Sequence, residues 1–340
     1  DVWWEFPYEK NLVDFEQSKI ITQVNANYAA FAHDNDGDYY FVGGGTAGGY
    51  GVSFAEGKDR LRKRVLGLLN SYLLDWRVKH ESSEFRGKFF SFAQRYMVDL
   101  PIAIPDDEDS FIQTVDTLVE LAEARYTLER LWVDKKSLAT TGETLIGLLE
   151  ADKQERRYGG GGRSWFSSVE FYPEGDRDIL EKEFDDFVFR ADTNNNRLTI
   201  YGLQGGVEDQ VYSLIFQNSK LLNIVYLCLK ELFDSRKKVN ALEHILEKTE
   251  IPVITPESAE NTPRIMSEIE SDFDDWLNKR NLDTVISPDV IELENRENKL
   301  FVELNVAAFE TYDLDRDEAL TVMNKTNIRH RERDRILDRL

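Results

Sequence analysis

Residues 19–51 read KIITQVNANYAAFAHDNDGDYYFVGGGTAGGYG. The β-branched and aromatic runs Lys19–Val24 and Asp38–Val42 predict two strands. Between them, His33-Asp34-Asn35-Asp36-Gly37-Asp38 supplies a turn rich in residues that tolerate left-handed backbone. A glycine-rich loop, Gly43–Gly51, follows. From Asp59 to His80 the period changes: Leu61, Val65, Leu68, Leu69, Tyr72 and Trp76 fall three and four apart, one apolar helical stripe. Phe85–Phe92 then reads as basic and aromatic, and Pro101 and Pro105 close the stretch. Short strands interrupted by separate helices predict an α+β fold with a mixed or antiparallel sheet, not a doubly wound parallel one.

Downstream, the acidic run Asp106–Asp109 caps a helix expected over Ser110–Leu131. Arg156-Arg157-Tyr158, four glycines and Arg163-Ser164-Trp165-Phe166 open a second region. Phe187–Arg190 and Arg197–Tyr201 flank Asp192–Asn196 as a hairpin. Helices are expected over Gln210–Phe233, Val239–Lys248 and Arg264–Lys279. Ile251–Pro263, with three of the eight prolines, reads as a linker. A hairpin is expected across Val290–Val306, with one or two closing helices within Asp315–Leu340. The resulting division is a first domain at 1–105, a helical connector at 106–150, an α+β region at 151–250 and a helix–hairpin–helix region at 251–340.

Composition narrows the function classes. Hydrophobic residues make up 41% of the chain and aromatics 12%, enough for folded cores. No apolar run reaches the roughly 20 residues that span a bilayer, so no membrane partner is expected. The lone cysteine, Cys228, fits a reducing, cytoplasmic setting. The four histidines, at 33, 80, 244 and 330, have no ligand spacing, so no metal and no hydrolase centre is expected. Asp313, Asp315 and Asp317 mimic the start of a calcium loop, but Glu318 and Asn324 occupy its glycine and glutamate positions; helix capping is the better reading. Asp192, Asn194 and Asn196 fail in the same way. The Gly43–Gly51 loop lacks the Lys-Ser/Thr of a phosphate-binding loop, and no nucleotide cofactor is expected there. A nucleic-acid role meets one obstacle: 64 acidic against 42 basic residues give a net charge of −22, and duplex DNA repels an acidic body.

Against that obstacle stand residue types suited to DNA. Lys19, Arg86 and Lys88 can neutralise phosphates, Gln23, Asn25 and Asn27 can pair with adenine edges, and Thr46, Tyr50 and Ser91 offer hydroxyls. Arg156, Arg157 and Arg163 form a second patch. In order along the chain come Lys19–Val24, Phe31-Ala32, Asp34–Asp38, Tyr40-Phe41, Gly43–Gly51, Leu66-Gly67-Leu68-Leu69-Asn70-Ser71, Phe85–Phe92 and Leu100-Pro101-Ile102. This order resembles the TaqI-like specificity domain. That domain is found at the C-terminus of Type IIG restriction–modification enzymes and of adenine-N6 DNA methyltransferases, including phage-defence enzymes of the BREX type. The likeness covers Lys19–Ile104, about a third of the chain, and Asp315–Leu320 resembles the family's closing helix more faintly.

The resemblance implies a reader of double-stranded DNA that works beside a separate methyltransferase domain. That domain would bind S-adenosylmethionine and carry an Asn-Pro-Pro-aromatic motif. No such motif occurs here, and the chain starts at Asp1, so the catalytic domain is expected upstream and no catalysis is expected of this fragment. If this is right, the basic residues should gather on one face. The alternative is an interaction module whose long helices dock another subunit of a defence complex.

Overall fold

The computed structural model describes residues 12–41, 48–85, 87–136, 141–158, 165–172, 178–235, 239–253, 258–280, 282, 286–326 and 330–340. The chain forms two compact units. One is Asp1–Glu120 together with Glu297–Leu340, and the other is Leu121–Arg296. In chain order the elements begin with α1 (Leu12–Phe15), β1 (Lys19–Gln23), β2 (Asn25–Ala26), β3 (Phe31–Asp34), β4 (Gly49–Ser53), α2 (Asp59–Leu69), α3 (Tyr72–Glu81), β5 (Glu84–Phe85), β6 (Phe89–Ser91), α4 (Gln94–Met97) and α5 (Glu108–Lys136). There follow β7 (Thr141–Thr144), α6 (Leu145–Tyr158), β8 (Phe166–Phe171), β9 (Asp186–Asp192), β10 (Arg197–Gln204), β11 (Val207–Phe216), α7 (Ser219–Asp234), α8 (Leu242–Lys248), β12 (Glu250–Val253) and α9 (Ser258–Arg280). The chain closes with α10 (Val290–Thr311), α11 (Arg316–Lys325) and α12 (His330–Leu337). The fold is α+β, with small antiparallel sheets and long helices.

The first unit carries two small sheets, ordered β3-β1-β4 and β2-β6-β5. The strand that pairs with β1 is not Asp38–Val42 but Phe31–Asp34, in the register Lys19↔Asp34 to Thr22↔Phe31. Asp34 itself ends the strand. Its carboxylate accepts the N–H groups of Gly37 and Asp38 at 3.1 Å and of Tyr39 at 3.2 Å, so the turn begins where the strand stops. Gly37 adopts φ +73°, and a Cβ there would lie 2.5 Å from the Glu16 carbonyl group, so only glycine fits.

The helical stripe from Asp59 divides into α2 and α3 at Asn70-Ser71. The Asn70 amide accepts the Phe31 N–H at 3.0 Å and donates to the Phe31 carbonyl at 2.9 Å, pairing with β3 as a neighbouring strand would. Ser71, fully buried, donates to the Leu68 carbonyl at 2.6 Å and accepts the Leu74 N–H, closing α2 and capping α3. Ile20, Phe31, Leu68, Phe92, Phe111, Leu304 and Ala308 make one core. Leu73, Phe309, Met323 and Ile336 make a second, so the part of α10 from Glu297 onward, with α11 and α12, belongs to the same unit as β1. The expected hairpin across Val290–Val306 is instead part of α10. The turn-like text Glu294-Asn295-Arg296-Glu297-Asn298 lies mid-helix, while Val290, Leu293, Val302, Ala308 and Phe309 keep buried helical spacing.

In the second unit the four-stranded antiparallel sheet runs β8-β11-β10-β9. The hairpin around Asp192–Asn196 forms as expected: the Asp192 carboxylate caps the turn and Asn196 takes the left-handed conformation, φ +47°. Two expectations fail. Gln210–Phe216 belongs to strand β11, and only Ser219–Asp234 is helical. Val211, Tyr212, Ser213 and Leu214 are all buried, so both faces of this part of β11 are covered and it reads as a continuous apolar run like a buried helix. The expected linker at Ile251–Pro263 contributes β12, which pairs with β7, and the first turns of α9; residues 254–257 lie outside the described part.

The boundaries at 105, 150 and 250 therefore do not mark the compact units, and the 106–150 connector is not wholly helical. The division falls inside α5 and α10, where no shift in composition signals it. Among the described residues, no helix is long and apolar enough to cross a membrane.

Lys19 and Asp34, each 2% exposed, form an ion pair that ties β1 to the turn after β3. Removing one partner of a buried pair leaves an uncompensated charge. Asp34→Ala is expected to lose about 3–5 kcal/mol in urea denaturation; a loss below about 1 kcal/mol would show that the pair does not anchor the sheet. Burial opposes ionisation of Asp34, but the Lys19 hydrogen bond and the N–H groups of Tyr39 and Asp38 outweigh it, holding its carboxyl below the usual aspartate value. The linked stability is complete above about pH 4 and is lost as pH falls through the depressed folded-state value. Asp34→Asn should therefore flatten the acid limb of the stability curve.

Candidate nucleic-acid interface

Residues directly opposite in neighbouring strands share a face of the sheet, and successive residues alternate. In the β3-β1-β4 sheet the register Gln23↔Gly49 and Thr22↔Tyr50 puts Gln23 and Tyr50 on opposite faces. One flat surface cannot present both. Lys19 shares the Gln23 face but is not on offer to a phosphate. Its ammonium donates to Asp34 and to the Phe15 carbonyl and lies 5.7 Å from the centre of the Phe15 ring. Nothing in the sequence pattern marks this lysine as buried; its counter-ion comes from fifteen residues away.

Ser91 is also withdrawn from contact. It is buried, and its backbone N–H and carbonyl are both bonded to the Ser82 hydroxyl, at 2.8 and 2.9 Å. Asn25 is half-buried and opposite Ser91, while Asn27 and Gln23 are exposed. Lys88 is exposed at the tip between β5 and β6, at φ +61°. Thr46, Arg86 and Arg163 lie outside the described residues, as do the side chains of Arg156 and Arg157 on α6.

The structure thus assembles part of the predicted set. Pairing of β2 with β6, Asn25↔Ser91 and Ala26↔Phe90, brings the Gln23–Asn27 segment beside the Lys88 tip. It also adds residues that the sequence reading did not select: Tyr28, two residues after β2, and Phe85 on β5 are exposed large side chains, and the Arg95 guanidinium sits 4.6 Å over the Tyr96 ring. The aromatic text of Phe85–Phe92 carried that signal, but not which ring faces out.

The expected basic face does not form on α2 and α3, whose cations have acidic partners. On α2, Arg60 pairs with Glu108 and Asp109, Arg64 with Glu108, Lys63 with Asp116 and Arg62 with Asp59. On α3, Lys79 pairs with Asp75 and Arg77 with Glu81. Hydrogen bonding to Arg60 is the chief cause that holds the Glu108 carboxyl below its usual range. Burial pushes the Asp75 carboxyl up, against the pull of Lys79 and of the Ala29 N–H. Burial lowers the His33 imidazole, and Arg62 and Lys63 lower it further, which favours its neutral form.

A cleft of about 870 Å³ opens between the start of α5 and the end of α10. Asp106, Asp107, Glu303, Glu310, Asp313 and Asp315 line it, and no Lys or Arg does, so it repels phosphate. Asp315 is accounted for locally: with Glu318 it forms a capping box at the start of α11. Among the described residues, no three His, Cys, Asp or Glu side chains group to hold a metal.

Comparison with family models, with curated proteins and with solved structures finds no match.

Lys88 pays a conformational cost: a left-handed backbone disfavours any residue with a Cβ. Lys88→Gly is expected to raise stability by about 0.5–1 kcal/mol in chemical denaturation. A neutral or destabilising result would mean that the lysine side chain stabilises the tip through packing.

Proposed function

We propose that the first unit is a DNA target-recognition module of an adenine-N6 methyltransferase or restriction–modification system. The supporting observation is the concentration of amide side chains beside a cationic tip: Gln23, Asn25 and Asn27 follow one another past the edge of β1 and run alongside Lys88. Asparagine and glutamine match adenine's major-groove edge, and lysine positions the module on phosphate. The Lys19–Ile104 resemblance supplies the class. On this reading, methyl transfer belongs to a separate domain that binds S-adenosylmethionine and receives the extruded adenine, and this fragment reads rather than reacts.

One observation favours a second reading. The net charge is −22, and the cations of α2 and α3 already have acidic partners, which suits docking of a protein subunit better than of a polyanion.

Titration of the chain with duplex DNA at about 50 and about 200 mM salt separates the two. The DNA reading expects measurable binding that weakens steeply with salt. Lys88→Ala should weaken all sequences alike and reduce the salt slope by about 1, and Asn27→Ala should relax preference at one base pair by about 1–3 kcal/mol. Absence of duplex binding at the lower salt overturns the DNA reading and leaves subunit docking.

A further inference from the structure

The β2-β6-β5 sheet has one face that packs on the core at Ala26 and Phe90 but is exposed at Glu84, and a second that is open at Phe85 but closed at Ser91. Ala26, Phe90 and Glu84 are register partners on the first, and Ala26 and Phe90 pack into the unit's main core. The second face carries Asn25 opposite Ser91 and Phe85 opposite Phe89. Phe85 is 48% exposed and Phe89 half-buried, so two cross-strand aromatic residues share a face at a solvent boundary, with Phe89 also close to Gly87. Directly opposed side chains lie about 5 Å apart at Cβ, close enough for both rings to touch one planar ligand.

The polar surroundings identify that ligand's chemistry. Among the register partners of this sheet the one carboxylate, Glu84, falls on the opposite face, in a chain where acids outnumber bases 64 to 42. An amide, Asn25, stands at one end of the face and an exposed cation, Lys88, at the other. Lys88 holds its place at φ +61°, where glycine would be at ease. Rings to stack on a flat heterocycle, a cation for its phosphate and an amide for its edge are what an unpaired nucleotide needs.

We propose that the outer face of β2-β6-β5 is a stacking platform for an unpaired nucleobase, with Phe85 and Phe89 as the stacking rings, Asn25 at the base edge and Lys88 at the phosphate. The platform deepens the DNA reading above by assigning the nucleotide that the chain holds outside the duplex. It also acts on any single-stranded or bulged nucleic acid.

The test compares three probes: a fully paired duplex, the same duplex with one bulged 5-iodouracil, and a single strand. The bulged duplex and the single strand are expected to bind about tenfold more tightly than the paired duplex. Ultraviolet irradiation should crosslink the iodouracil to Phe85. Phe85→Leu keeps the apolar bulk on an exposed position, so the fold stands, but it should lose both the preference and the crosslink, whereas Phe85→Trp should keep them. Equal binding of bulged and paired duplexes, or a Phe85→Leu variant with preference and crosslink intact, overturns the platform. Salt-dependent binding of the paired duplex without preference for the bulge removes the platform and leaves the duplex reading. Binding of the bulged and single-stranded probes alone does the reverse, and no binding of any probe removes both.

Discussion

The buried contact between Lys19 and Asp34 is the constraint from which the first unit is built. Neither charge could stand in this interior alone. Asp34 receives the ammonium on one side and three backbone N–H groups on the other, so its oxygens are saturated. That one carboxylate fixes the register of β3 on β1, stops β3 and starts the following turn. With β1 held, β4 pairs on its other edge, and the chain leaves β1 through Val24, whose carbonyl accepts the Phe92 N–H at 2.7 Å. That bond links the first sheet to the second. The candidate DNA surface therefore rests on a lysine that sequence alone nominates as part of the surface itself.

The acidity of the chain looks different once the partners are known. Many carboxylates are not a diffuse field but counter-ions placed against specific cations. Glu108 serves Arg60 and Arg64, and in the second unit Glu129 and Glu294 both engage Lys230, with the Tyr226 hydroxyl also donating to Glu294. Desolvation opposes the charge of Lys230, but its two carboxylates more than compensate and hold its ammonium above the ordinary lysine value. Such pairs fix helices against one another while removing cations from any contact with phosphate. The DNA-binding face proposed above would then be local, resting on exposed cations such as Lys88, with aromatic and amide groups carrying more of the recognition.

Elements whose determinants are local were legible from sequence. The β9–β10 hairpin was, because Asp192 and Asn196 make the turn by themselves; α5 was, because its acidic start and apolar spacing lie within the segment. Elements defined by tertiary position were not. β11 lost its alternation because both faces are covered, and α10 was broken by asparagines that in fact ride its surface. The site was legible in kind rather than in place. The sequence points to asparagine, lysine and aromatic residues that β2 and β6 bring close together, yet pairing partners decide that Tyr50 turns away from Gln23 and that Lys19 and Ser91 are enclosed. Those facts lie in contacts up to tens of residues away, which no window of sequence contains.

The first unit is discontinuous: residues 1–120 need 297–340 to close their cores. Leu73 packs with Phe309, Met323 and Ile336, and the Tyr72 N–H bonds to Asn305 at 2.7 Å. On the ribosome, the first third of the chain must therefore wait, with part of its apolar surface uncovered, while the whole of residues 121–296 is made and can fold as a continuous segment. The order of assembly departs from the order of synthesis: the segment 121–296 can fold first, and β1 to β6 complete their cores only once α10 to α12 have been made. The proposed recognition surface is thus completed only after residues 121–296 have been made.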